Sequence, residues 1–263
     1  EGEGARIWWP NKDHITAEGD SVRMVYTVPS NLFAVGNGKL RSITSNGNKS
    51  SYEWFVKNPI NNYNISVQIG NYVAVQDTLI KDSVVHYMDH YVLDYNEELA
   101  SNYFPQSKEV IRFYEKYFGD YQWYEDGYKL IEVPYLGMEH QSAVTYGNGF
   151  SIYNGVRSKS WPMYGVIDPL IIHETGHEWF GNSVTASDPT HIWIHEGLQV
   201  YSESIYFEDK FDSYEVGVHY LNSIKNRIIN EIPIVGNENE NHWALNGDTY
   251  MKGAWIMHTL RSV

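Results

Sequence analysis

The hydrophobic pattern of this 263-residue chain changes period once, and that change limits the architectures open to it. Between about residues 20 and 95 the apolar side chains alternate: Val22, Met24 and Tyr26; Tyr52, Trp54 and Val56; Ile65, Val67 and Ile69; Val73 and Val75. A period of two places each set on one face of a strand. Turns at 28–31, 36–38, 45–48 and 70–71 carry the Gly and Asn that tolerate the positive φ of tight hairpins. An antiparallel sheet or sandwich is expected here. After Tyr95 the spacing becomes three and four, in Val110, Phe113, Tyr114, Tyr117 and Phe118, until Gly119 closes the run. This predicts one helical stretch over 96–119, then strands over 129–133 and 142–146, then mainly helix. The fold class is therefore α+β, with a β-rich domain over 1–95 and a mainly helical one over 96–263.

Composition removes several kinds of function. There is no cysteine, so thiolate metal sites, disulfide scaffolds and cysteine nucleophiles are excluded, and a bound metal must use His and carboxylates. The net charge of −14 repels phosphate backbones and makes nucleic acid an unsuitable partner. Apolar runs such as 166–172 are broken by Asp, Pro or His well short of the roughly 20 residues that cross a bilayer. The chain begins at Glu1 rather than Met, and its last residues still read as helix, so a longer parent protein is expected.

The chemistry concentrates in His173-Glu174-Thr175-Gly176-His177. Asp168 and Pro169 read as a helix start and Gly181 as its stop, which puts both histidines inside one helix of about three turns. At i and i+4 they share a face and can offer two imidazole nitrogens to one zinc ion, with Glu174 angled toward a water beside it. A catalytic zinc needs a third protein ligand, and Glu196, in a helix expected from Ile192 to about Tyr206, follows His177 after 18 residues. Glu203, two turns further on, projects from the same face; it either orients a zinc-binding histidine or is a solvated surface carboxylate. His86 and His90 fall on what reads as one polar face of a strand and are taken as structural or surface residues.

This arrangement resembles the gluzincin aminopeptidases of the aminopeptidase N family. Three further segments resemble the family in the same order: Leu136-Gly137-Met138-Glu139-His140 its exopeptidase motif, Tyr250-Met251-Lys252-Gly253-Ala254 its catalytic tyrosine segment, and Ala5 to Pro10 the end of its β-rich domain. The resemblance implies a β saddle followed by a thermolysin-like zinc peptidase domain, both truncated at the outer ends. It implies one zinc per chain held by His173, His177 and Glu196, with Glu174 as general base and Tyr250 as the phenol that stabilises the oxyanion. Glu139 would accept the free α-ammonium of a substrate and so exclude chains that continue past it, with Gly137, Met138 and His140 alongside. Glu1 would be a second amine-binding acid, or else a solvated terminal glutamate. His140 stands where the family usually carries Asn; as a cation it would oppose an incoming ammonium. The run 141–146 would offer a strand edge to an extended peptide.

The function implied is zinc-dependent release of N-terminal residues from peptides with a free N-terminus. The alternatives are an endopeptidase or bifunctional hydrolase using the same zinc, or a zinc-retaining fragment that binds peptides without cleaving them. The composition fits either a cytoplasmic or an exported protein.

Overall fold

The computed structural model describes residues 4–150, 167–238 and 246–263; Glu1 lies outside them. The first third is β structure. Strand β1 (Glu18–Gly19) pairs antiparallel with β6 (Ile60–Asn61), and β3 (Phe33–Gly36) with β7 (Val67–Gly70). β5 (Lys49–Val56) lies between β2 (Val22–Pro29) and β4 (Lys39–Asn46) in a three-stranded antiparallel sheet. Alternation along β5 buries Ser50, Tyr52, Trp54 and Val56, and the Trp54 indole N–H donates to the Ala34 carbonyl at 2.9 Å. β8 (Tyr72–Lys81) and β9 (Val84–Leu93) form a long hairpin whose two-residue turn, Asp82 and Ser83, has positive φ at both positions. That geometry matches the right-handed twist of the strands.

The expected helical stretch over 96–119 is two helices, α1 (Glu97–Tyr103) and α2 (Gln106–Phe118). Pro105 is the cause: it has no N–H to bond back along α1, and the Gln106 side chain donates instead to the Tyr103 carbonyl at 2.8 Å. Three short strands follow, β10 (Leu130–Glu132), β11 (Gly137–Met138) and β12 (Val144–Tyr146). They extend the β8–β9 hairpin into a five-stranded sheet of order β11-β12-β10-β9-β8, with β10 parallel to both its neighbours. Hydrogen bonds of this sheet therefore cross residue 95. β12 is paired on both sides, so the free edge near the exopeptidase-like motif is β11 and not 142–146.

The inner part of the sheet, where β10, β12 and the end of β9 lie, is covered on both faces, which is why those segments are so apolar. Tyr91, Ile131 and Ala143 pack with Trp54 and Val56 of the β-rich part. Val92, Leu130 and Val144 face the other way, into a larger core with Phe104, Tyr114 and Phe207. His90 is wholly buried and not on a polar face; its Nδ1 accepts the Leu130 N–H at 2.9 Å.

Four further helices follow among the described residues: α3 (Pro169–Gly176), α4 (Trp193–Phe211), α5 (Tyr214–Lys225) and α6 (Gly247–Ser262). Every residue of α3 is buried, the polar His173, Glu174 and Thr175 included, which puts the helix at the centre of its domain. It is shorter than three turns. His177 is its C-cap, and the chain continues in tight turns to Phe180 before Gly181, at φ 141°, reverses it.

Candidate metal centre

Asp168 sets the position of α3. Its carboxylate accepts the Leu170 N–H at 2.9 Å as an N-cap, the hydroxyls of Tyr103 and Tyr146 at 2.8 and 2.7 Å, and the Asn148 amide at 2.9 Å. A helix start held by one buried anion and four donors leaves little freedom to the two histidines one and two turns on.

His173 and His177 turn their Nε2 atoms toward each other at 3.1 Å. Glu196 Oε2, from the first turn of α4, lies 3.5 Å from His173 Nε2 and 3.3 Å from His177 Nε2. The outer ring nitrogens decide what faces inward. His173 Nδ1 donates to Glu203 Oε1 at 2.7 Å and His177 Nδ1 donates to the Phe180 carbonyl at 2.8 Å, so each ring, when neutral, presents an Nε2 lone pair. Glu203 is buried, and its second oxygen accepts the Tyr220 hydroxyl.

Three lone-pair atoms thus form a triangle of 3.1 to 3.5 Å, close to the roughly 3.3 Å separation of ligands on a tetrahedral ion bound at about 2.05 Å. Glu196 Oε2 is buried and accepts no hydrogen bond among the described residues. The surroundings are short of positive charge. Burial works against charging His177, yet the carboxylates of Glu196 and Glu139 outweigh it and push the ring up to about 9. A divalent cation fits this donor set.

Around the triangle lie the other residues singled out in the sequence. Glu174 is 6% exposed with Oε2 unpartnered, and burial pushes its carboxyl up to about 7. Glu139, also 6% exposed, offers an oxygen that lies with donor atoms of Glu174 and His177 inside 4.8 Å, and burial holds it above the usual carboxylate range. Gly137 runs directly against Glu174, since a Cβ there would come within 2.6 Å of Oε1. Met138 is half-buried beside it on the edge strand. His140 has a buried, unpartnered Nδ1, and burial pushes the ring down to about 4, so it is neutral near pH 7.

Tyr250 arrives from α6. The Asn246 side chain caps that helix by accepting from the Asp248 and Thr249 N–H groups, and Thr249 Oγ1 returns the bond to the Asn246 N–H, which places Tyr250 in the first turn. Its ring lies near-parallel to His173 with centroids 6.3 Å apart, and burial with the nearby Glu196 charge keeps the phenol protonated.

Four contributors were not picked out from the sequence. Tyr63 reaches in from the β-rich part and donates to Glu139 Oε1 at 3.3 Å. Ser142, Glu178 and Asn182 hold the segment that carries Glu139. None has a spacing signal, although Glu178 and Asn182 flank the histidine motif closely enough to be suspected.

Residues 103–263 match the sequence profile of the Peptidase family M1 domain. Human endoplasmic reticulum aminopeptidase 2 is 29% identical over 170 residues, 59% of this chain and 17% of that protein. Probable aminopeptidase 1 of Sulfurisphaera tokodaii is 22% identical over 240 residues, 87% of this chain and 30% of its own length. Among solved structures, an M1 zinc metallopeptidase from Deinococcus radiodurans superposes with a TM-score of 0.80 at 18% identity, over 99% of this chain and 56% of that one. The chain thus spans less than a third of these curated relatives and about half of the solved structure.

Proposed function

The chain belongs to peptidase family M1, and from that premise and the geometry of the centre we propose that it is a zinc aminopeptidase, hydrolysing the first peptide bond of peptides with a free N-terminus. The observation that carries this reading is the lone-pair triangle of His173, His177 and Glu196 with Glu139 and Glu174 beside it. The two-part division at residue 95 is proposed with it; the family match beginning at residue 103 supports that division.

His173, His177 and Glu196 would hold the zinc, which when bound polarises the scissile carbonyl and acidifies water toward neutrality. Glu174, buried and with a carboxyl near 7, takes the proton of the attacking water and passes it to the departing amine. Its elevated position suits both transfers at neutral pH. Tyr250 remains a phenol and donates to the carbonyl oxygen as negative charge develops there. Glu139 accepts the α-ammonium of the substrate, and a chain continuing past that point would bury the carboxylate without a partner. The edge strand β11 offers Gly137 and Met138 backbone groups to the extended peptide, and neutral His140 supplies one donor and one acceptor next to it. Glu203 fixes the tautomer of His173. No helix among the described residues is long and apolar enough to cross a membrane.

The test combines metal analysis with paired substrates. Purified protein should contain one zinc per chain and cleave aminoacyl amides with a free amine but not their N-acetylated forms. Chelation should abolish this and zinc restore it, and Glu174→Gln should lower kcat by a factor on the order of 10³ or more with zinc retained. Equal cleavage of blocked substrates would overturn the exopeptidase assignment; zinc bound without turnover would favour a peptide-binding fragment.

A further inference from the structure

Glu178 follows the ligand candidate His177 directly, but its carboxylate turns away from the metal triangle. Oε1 accepts the Ser142 N–H at 2.7 Å and Oε2 accepts the Asn182 side-chain amide at 3.2 Å. Asn182 Nδ2 also donates to the Glu139 carbonyl at 2.9 Å. Asn182 itself is folded back under His177, its N–H donating to the His177 carbonyl at 2.9 Å after the turn at Gly181. Both ends of the segment 139–142 are therefore tied to the turn that ends the zinc-binding helix. All three side chains are buried: Glu178 is 2% exposed, Asn182 5% and Ser142 0%.

Ser142 is the less obvious half of this connection. It has φ 58°, a left-handed conformation that a residue with a Cβ adopts at a cost and keeps only where its surroundings hold it. Each of its polar groups binds a different part of the molecule. The N–H goes to Glu178, the carbonyl accepts from Lys129 Nζ at 2.8 Å, and Oγ accepts the Gly38 N–H of the β-rich part at 2.9 Å. Asn182 repeats the pattern, since its Oδ1 accepts from Asn64 Nδ2 at 2.7 Å. A buried carboxyl group is costly to keep when apolar packing would serve as well. Two of the three groups linked through Glu178 and Asn182 belong to the loop that bears Glu139.

We propose that Glu178 and Asn182 form a clamp that sets the separation between the Glu139 carboxylate and the metal centre, and are thereby positioning residues for recognition of the substrate N-terminus. The proposal rests on the reading of Glu139 as the amine acceptor. The two sites a dipeptide unit must bridge, the ammonium contact and the scissile carbonyl, sit on different elements, β11–β12 and α3. Their spacing is held by the hydrogen bonds from Glu178 and Asn182, whose side chains stand outside the lone-pair triangle. Loosening them lets Glu139 drift while leaving the triangle and Glu174 in place.

The experiment uses the zinc-loaded protein and the variants Glu178→Gln, Glu178→Ala and Asn182→Ala, each assayed with leucine p-nitroanilide and its N-acetylated form, with zinc content measured in parallel. Glu178→Ala and Asn182→Ala should raise KM for the free amine about tenfold with kcat changed less than threefold, and lower the free-to-acetylated ratio of kcat/KM about tenfold, with one zinc retained. Glu178→Gln keeps an acceptor for Ser142 and should fall between these and the parent. If Glu178→Ala fails to fold, Asn182→Ala, which removes no acceptor from Ser142, carries the same test. A uniform loss on both substrates, or a loss that follows zinc content, would overturn the clamp and leave only a structural role. A parent protein with no preference for the free amine overturns the amine-acceptor reading first and the clamp with it, and that result is visible before any variant is made.

Discussion

The Cα atoms of Gly197 and Gly253 face each other where α4 and α6 cross, so that a Cβ built on either would lie 2.8 Å from the Cα of the other. Gly197 follows Glu196, and Gly253 is one turn beyond Tyr250, so this backbone-to-backbone contact brings the third ligand candidate and the phenol together. Gly253→Ala should force the helices apart. Net destabilisation of about 1–3 kcal/mol is expected even though alanine is the better helix former by about 1 kcal/mol. Urea denaturation would measure it, and kcat should fall more than KM rises because Tyr250 moves with α6.

Tyr250→Phe isolates the hydroxyl from the ring. Packing against His173 is preserved, so stability and zinc content should be unchanged while kcat drops by a factor on the order of 10²–10³ with little change in KM. A mainly KM effect would instead make Tyr250 a substrate-binding group.

Glu203 should matter through the metal and not through substrate. Glu203→Ala leaves His173 Nδ1 without its acceptor and should weaken zinc binding by about 10- to 100-fold, measured by competition with a chromophoric chelator. Glu203→Gln retains an acceptor oxygen and should lose less. With zinc saturating, both variants should recover most of their turnover.

Acid should destabilise the fold through buried histidine. Burial among Phe104 and Tyr128 pushes His90 down to about 3, against about 6.5 in the unfolded chain. Between those values the unfolded state binds the additional proton. The contribution is therefore whole above pH 6.5 and is lost progressively as pH falls toward 3, at about 1.4 kcal/mol per pH unit. Stability profiles of the parent and His90→Gln should differ by about one proton in slope over that window; parallel profiles would show that His90 is not the titrating group.

The parts legible in the sequence were those whose chemistry demands particular residue types at a helical or strand repeat. His173 and His177 share a face because i and i+4 must, and the alternation at Tyr52, Trp54 and Val56 marks a buried face of β5. What the sequence did not reveal depends on pairing between distant segments. Nothing local to 130–132 says that it will lie parallel to β9, and one tyrosine among 22 gives no sign that Tyr63 will touch Glu139. The break at Pro105 was legible in principle, but the three-and-four spacing continues on both sides of it and hid the change of axis. The polar links of Ser142 and Asn182 are single residues whose partners lie in five different segments, and no periodicity records them.

The parallel pairing of β10 with β9 also bears on how the chain is made. During synthesis the β8–β9 hairpin is complete while the segment that will cover its β9 edge is still to come, and α1 and α2 emerge in between. Until then β9 presents unpaired backbone groups to any neighbouring strand, including the same hairpin on another nascent chain. α1 packs on that hairpin and precedes β10 in the chain. On this view the short helix before Pro105 is a guard as well as a connector, and weakening it would be felt first as aggregation of newly made protein, before any loss in the finished fold.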